Sequence, residues 1–204
     1  MSVLEVFDIR KGFRPSLLGK RQEVLNGISF RIPPSSITGF LGANGAGKTT
    51  TMKCILGLIF PDSGEFKYFG EKKFNSSIKK RIGFLPERPY FYSYLTGREF
   101  LQFYGEISLR ISRSALRDRI EELLRRVDLV HAGDKALRDY SKGMLQKIGL
   151  AQALIHEPEL LILDEPMSGL DPDGRYYLSE LIRETAREGR AVFLSSHLLH
   201  DTEN

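Results

Sequence analysis

Along this chain the spacing of apolar residues switches between a strand period and a helical one, and the switches mark out its elements. Residues 3–9 and 24–32 read as strands, with residues 10–21 between them, rich in Gly, Pro, Arg and Lys, as a solvated loop. Ile37, Phe40 and Leu41 form a short apolar strand that ends in Gly42, and a helical pattern follows from near Gly47 to Leu56. The turn formers Pro61, Asp62, Ser63 and Gly64 lead into a strand over residues 65–69, and residues 82–85 form another that Pro86 stops.

From about Thr96 the pattern becomes helical. Thr96 with Glu99 fits an N-cap and capping box, and Leu116, Ile120, Leu123, Leu124 and Val127 recur at helical spacing, so the middle third predicts an α subdomain. After a polar break over residues 139–142 a further helix runs to about Ile155. Leu160, Leu161, Ile162 and Leu163 then form a run without polar alternation, which suits a strand buried on both faces of a mainly parallel sheet. A helix over residues 176–187 and a strand over 191–194 complete an α/β pattern.

Composition narrows the class. At 204 residues, 41% apolar and 27% charged, the chain is ordinary globular material for one sizeable domain with a smaller subdomain. A net charge of +4 permits contact with phosphates or an anionic surface without demanding nucleic acid, and no nucleic-acid partner is expected. The sequence has no apolar run of membrane-spanning length, and its first residues lack the apolar core of a signal peptide, which predicts a cytoplasmic protein. Cys54 cannot form an internal disulfide, and its neighbours Met52, Ile55 and Leu56 predict a packed helix face.

The chemistry concentrates after two of the predicted strands. Residues 42–49 match G-x-x-x-x-G-K-[ST] in full, between a predicted strand and a predicted helix. Glycines let successive N–H groups of Asn44, Gly45, Ala46 and Gly47 turn toward an anion, and the positive end of the helix adds to them. Lys48 would meet β- and γ-phosphates, the Thr49 hydroxyl suits Mg²⁺, and Thr50 could add a phosphate contact. Asp164 and Glu165 stand directly after the strand at 160–163, where open α/β sheets bind ligands. Asp164 is placed to hold Mg²⁺ and Glu165 to orient or deprotonate a water.

The wider order of residues carries a resemblance. Tyr140, Ser141, Lys142, Gly143 and Met144, then Leu163, Asp164, Glu165 and Pro166, then Ser168, Gly169, Leu170 and Asp171, then Ser195, Ser196 and His197 resemble the ATPase domain of ABC transporters over essentially the whole chain. The resemblance implies a P-loop NTPase core with an antiparallel β subdomain, over residues 1–86 and 157–204, and a helical subdomain over 87–156. It implies MgATP as cofactor, a second ATPase subunit arranged head to tail, and a separate membrane-spanning subunit at the inner face of the membrane. Ser141 and Gly143 are similar to the signature residues that touch the partner's ATP, although Ser141 also fits a plain N-cap. Asp171 resembles the residue that couples the paired sites, or serves as a turn former before Pro172. His197 resembles the switch histidine that reaches the γ-phosphate, and Phe13 occupies roughly the place of the aromatic that stacks on adenine.

The chain departs from the family pattern in several places. Glu87 stands where the family has a glutamine that contacts Mg²⁺ and water, so the contact is water-mediated or the metal geometry differs. This Leu-Pro-Glu form resembles single-domain ATPases of certain bacterial exporters. Lys142 and Met144 replace residues of the usual signature. Tyr90, Phe91, Tyr92, Tyr94, Phe100, Phe103 and Tyr104 lie where the family docks its membrane partner, and they read equally as subdomain core or as that surface, with 89–94 the more exposed part. The sequence stops seven residues after His197, earlier than is usual for the family, so a fragment lacking C-terminal helices or a substrate-specific extension is expected. A transporter ATPase, a non-transport ABC ATPase and a regulatory ATP-binding module remain the competing functions; the intact Glu165 and the absence of room for a long coiled coil between Lys48 and Ser141 favour the first.

Overall fold

The computed structural model describes residues 2–14 and 19–197; residues 15–18 of the expected loop and 198–204 of the expected C-terminal core segment lie outside that description. Among the described residues seven strands and six α-helices follow one another: β1 (Leu4–Phe13), β2 (Gln22–Ile32), β3 (Ile37–Leu41), α1 (Lys48–Ile55), β4 (Ser63–Tyr68), α2 (Ser76–Lys79), β5 (Ile82–Leu85), α3 (Gly97–Ser108), α4 (Arg113–Arg126), α5 (Lys142–Leu154), β6 (Leu160–Leu163), α6 (Pro172–Arg187) and β7 (Ala191–Ser196). Among the described residues no helix is long and apolar enough to cross a membrane.

The centre is a parallel sheet in the order β3-β7-β6-β5. All four residues of β6 are buried, and they feed opposite sides: Leu161 and Leu163 join a core with the helices, Leu160 and Ile162 a core with the other sheet. A strand covered on both faces gains nothing from polar alternation, which is why the run at 160–163 has none. Leu85, Val192 and Leu194 join Leu161 and Leu163 on the helical side, while Ile82, Ala191 and Phe193 lie on the other.

The second sheet is antiparallel, in the order β2-β1-β4. It corrects the expected loop at 10–21. Arg10, Lys11, Gly12 and Phe13 continue β1 and pair with Asn26, Leu25, Glu23 and Gln22 of β2. Their charge hid this extension, but Asp62 neutralises part of it: its carboxylate accepts from the Gly12 N–H at 2.8 Å and from Lys11 Nζ at 3.0 Å and also pairs with Arg21. These contacts hold the Asp62 carboxyl below its usual range, the Gly12 N–H foremost. Cys54 is buried on α1 as expected, and the Tyr68 hydroxyl donates to the carbonyl of Ile55 at 2.7 Å, fixing the end of α1 against β4.

Helices α3 to α6 pack on the other face of the parallel sheet in one continuous core. Thr96 caps α3 with the full box, its side chain accepting from Glu99 N while Glu99 accepts from Thr96 N. Helix α6 starts earlier than expected: Asp171 accepts from Gly174 N at 2.8 Å as N-cap, and Pro172, which looks like a breaker, occupies the first turn, where its missing N–H costs nothing. The short α2, capped by Asn75, escapes a periodicity reading because a single turn has no period. Arg119 of α4 donates to the Leu154 carbonyl at 2.9 Å, so a guanidinium closes the C-terminal end of α5. His156, just beyond α5, donates from Nε2 to the Ile82 carbonyl at 3.0 Å and ties that end to β5.

Leu161→Ala should lower the free energy of unfolding in urea by about 2–5 kcal/mol, since Leu161 is fully buried; a loss under about 1 kcal/mol would contradict this core. Burial lowers the pKa of His156, with Arg119 adding to the effect. The folded state therefore binds that proton less tightly than the unfolded chain, and the stability this confers above about pH 6.5 is lost as pH falls through the folded pKa. His156→Gln keeps a donor and removes the titration, so its thermal midpoint should fall less than that of the parent between about pH 7.5 and 5.5; equal slopes would exclude His156.

Candidate nucleotide site

Parallel pairing decides what meets at the carboxyl end of the sheet. Leu163 of β6 is level with Leu194 of β7, so the residues that follow, Asp164 and Glu165 on one side and Ser195, Ser196 and His197 on the other, run side by side. Leu41 of β3 is level with Ser196, and Gly42 N donates to the Ser196 carbonyl at 3.3 Å, which brings the glycine loop to the same edge.

Ser195 joins the carboxylates. Its hydroxyl donates to Asp164 Oδ1 at 2.7 Å and accepts from the Glu165 N–H at 2.8 Å, fully buried. Glu165 has φ 49°, in the left-handed region, which costs a residue with a Cβ about 1–2 kcal/mol. The bond to Ser195 and a bond from Ser168 N to the Glu165 carbonyl at 3.0 Å hold it there. The result turns the Glu165 side chain toward the glycine loop. Its Oε1 lies 3.2 Å from Lys48 Nζ, an ion-pair distance without hydrogen-bond geometry, and its Oε2 accepts from His197 Nδ1 at 2.7 Å. With the Nδ1 proton committed to a carboxylate, Nε2 of His197 is the free ring atom.

Lys48 is itself nearly buried, donating to the carbonyls of Gly42 at 2.5 Å and Ala43 at 3.2 Å. The loop has the shape of a cradle because of two glycines in the left-handed region, Gly45 at φ 84° and Gly47 at φ 91°. A Cβ on Gly47 would come within 2.6 Å of the Leu25 side chain and 3.0 Å of the Val24 carbonyl, so that position admits no larger residue. In front of the loop lies a cavity of about 360 Å³, lined by Val24, Asn44, Gly45, Gly47, Lys48, Thr49, Thr50, Glu87, Glu165, Ser168 and His197.

Most of the residues singled out in the sequence thus converge. Asp164 stands behind the lining, buried against Ser195. Phe13 does not line the cavity; it sits exposed at the end of β1 with Lys11 Nζ 5.5 Å from its ring centre. Ser141 and Gly143 lie at the start of α5, also outside the lining, and Ser141 is an N-cap whose hydroxyl accepts from Met144 N at 3.3 Å. Sequence reasoning gave no role to Ser195 or Ser168. Ser195 was discoverable, because parallel strands that end together place the first residues beyond them side by side.

The donor set fits a nucleotide with Mg²⁺. Loop N–H groups, the start of α1 and the Lys48 ammonium suit phosphate oxygens. Among the described residues no cluster of three or more His, Cys, Asp or Glu side chains could hold a metal alone. Mg²⁺ does not ask for one, since it keeps waters and shares phosphate oxygens with one or two protein groups, and Thr49 and Glu87 face the cavity as hard oxygen donors.

Comparison with known proteins agrees with this geometry. The profile of the ABC transporter family matches residues 25–168. An ABC transporter ATP-binding protein of Nostoc sp. is 45% identical over 99% of this chain and 61% of its own length. The bacitracin transport ATP-binding protein BcrA of Bacillus licheniformis is 43% identical over 89% of this chain and 59% of its own. The chain thus spans about three fifths of the length of these relatives. Among solved structures, an ATP-binding subunit of an ABC transporter superposes with a TM-score of 0.81 at 31% identity, covering 98% of this chain and 81% of that one. A dimeric ATP-binding cassette bound to ADP and phosphate reaches 0.87 at 21% identity, covering 97% and 89%, a likeness of fold. With a glycine-loop cavity facing Glu165 and His197, and with this agreement across the sequence, the chain belongs to the ABC transporter family and carries its ATP-binding domain.

Proposed function

We propose that the chain binds and hydrolyses MgATP as the energy-supplying subunit of a transporter, in a head-to-tail dimer attached to a separate membrane-spanning subunit at the cytoplasmic face. The observation that carries the reading is the array of Lys48, Glu165 and His197 at one mouth of the cavity. In this arrangement Lys48 is held by groups that a phosphate can replace: two loop carbonyls and the Glu165 carboxylate. An arriving γ-phosphate draws the ammonium away and leaves Glu165 Oε1 free to accept a proton from water. Attack of that water on the γ-phosphorus breaks its bond to the bridging oxygen, the electron pair leaves with ADP, and the proton passes to Glu165. His197 holds Glu165 through Nδ1 and offers Nε2 to the water. Bound Mg²⁺ supplies charge neutralisation on the phosphates; Thr49, Glu87 and Asp164 are the residues that would hold it, Asp164 through water.

Ser141 and Gly143 stand apart from their own chain's cavity, and a second chain placed head to tail would bring them to its nucleotide. Phe13, exposed at the end of β1, remains the candidate for adenine stacking. The aromatic group divides: Phe100 is buried, whereas Tyr90 and Tyr94 are 80% and 69% exposed and continue through Tyr92 to Phe103 in a run of edge-to-face and tilted contacts. That run is the surface proposed for the membrane subunit.

Glu165→Gln should abolish MgATP hydrolysis while retaining nucleotide binding, and wild-type turnover should rise more than linearly with protein concentration. Binding without turnover at any concentration in the wild type would shift the reading to a regulatory module. Replacing Tyr92 and Tyr94 by serine should release the membrane subunit during copurification with ATPase activity unchanged; retained copurification would remove that surface from the proposal.

A further inference from the structure

The backbone that aims Glu165 is clamped from several directions. Asp164 N donates to the Leu85 carbonyl of β5 at 2.9 Å, and Ser195 of β7 holds Glu165 N. The remaining clamp comes from outside the sheet. Gln146 of α5, a buried polar side chain, donates from Nε2 to the carbonyl of Pro166 at 2.8 Å. Pro166 follows directly on the strained Glu165 and has no N–H of its own, so its carbonyl is the one backbone hydrogen-bonding group that this residue offers.

Gln146 lies four residues after Lys142 and three after Gly143, on one face of α5. That face meets the turn after Glu165 along its length. The Lys142 ammonium lies over Gly169, where a Cβ would come within 1.9 Å of it, and a Cβ on Gly143 would lie 3.8 Å from the Leu170 side chain. Gly169 has φ 69° and accepts this close approach because it has no side chain. The first turns of α5 and the turn at 165–170 are therefore packed directly on each other.

We infer that Gln146 is a positioning residue for the reaction: it transmits the placement of α5, which begins with the signature serine, to the catalytic carboxylate of the same chain. The inference rests on Glu165 acting as the base. In a paired arrangement, a nucleotide of the partner engaged at Ser141 would set the aim of Glu165 on its own chain through Gln146 and the Pro166 carbonyl. Coupling of this kind runs within one chain, from the exposed start of α5 to its own cavity.

Gln146→Leu keeps the bulk and removes the donor, and Gln146→Glu keeps the shape and, when ionised, has no proton to give. Both should retain ADP affinity and the KM for ATP within about two-fold while kcat falls about 10- to 100-fold, the cost of a misplaced reacting group. Hydrogen exchange in the nucleotide-free chain reads the clamp without hydrolysis: protection of the Glu165 and Ser168 amides should drop about ten-fold or more, with that of Ile162 in β6 unchanged. Loss of protection in a wild-type background that does not hydrolyse ATP would support the clamp and overturn the catalytic reading instead. If kcat and the amide protection of both variants stay within about two-fold of the parent, or if nucleotide affinity falls as far as kcat, Gln146 has no positioning role. Should Gln146→Leu fail to fold, Gln146→Glu alone decides by the same criteria.

Discussion

One buried hydroxyl holds the candidate site in register. Ser195 donates to Asp164 and accepts from the backbone of Glu165, so the end of β7 and the end of β6 are fastened where both leave the sheet. A buried hydrogen bond to a charged group is stronger than a neutral one, and leaving either partner unsatisfied would cost the full desolvation of that group. The left-handed backbone at Glu165 persists because such bonds outweigh its strain. Two side chains at the cavity take their direction from that point: Glu165 toward Lys48, and His197 toward Glu165.

The charges around the cavity are arranged for exchange. Lys48 is nearly buried, and an ammonium so placed must have partners; it has two loop carbonyls and a carboxylate. In the proposed reaction, the carboxylate released by a phosphate keeps His197 as its second partner, and attraction for the nucleotide and liberation of the base would be one event, because a single side chain, Glu165, lies between the lysine and the histidine.

Much of this was legible from residues alone. The run at 160–163 announced a doubly covered strand, and the glycine loop announced its cradle, because each depends on local sequence. The charged end of β1 was misread because its neutralising partner, Asp62, lies fifty residues away and no local pattern reports it. The start of α6 was misread for the opposite reason: Pro172 is local, but its meaning depends on whether it opens a helix or interrupts one. Ser195 carried the resemblance without a role, and Gln146 carried no signal of its own. A serine in a buried strand and a glutamine in a helix acquire a role only through register and packing, in one case with β6 and in the other with Pro166.

The place of β7 in the parallel sheet also bears on how the chain is made. It is the last strand among the described residues, yet it lies between β3 and β6, and it contributes Val192 and Leu194 to one core and Ala191 and Phe193 to the other. About 150 residues separate the end of β3 from the start of β7. At ribosomal rates of about 5–20 residues per second, the earlier strand waits on the order of ten to thirty seconds for its neighbour. During that interval β3 lacks the neighbour with which it pairs in the sheet, and the apolar residues that β7 will cover on either side remain open to solvent.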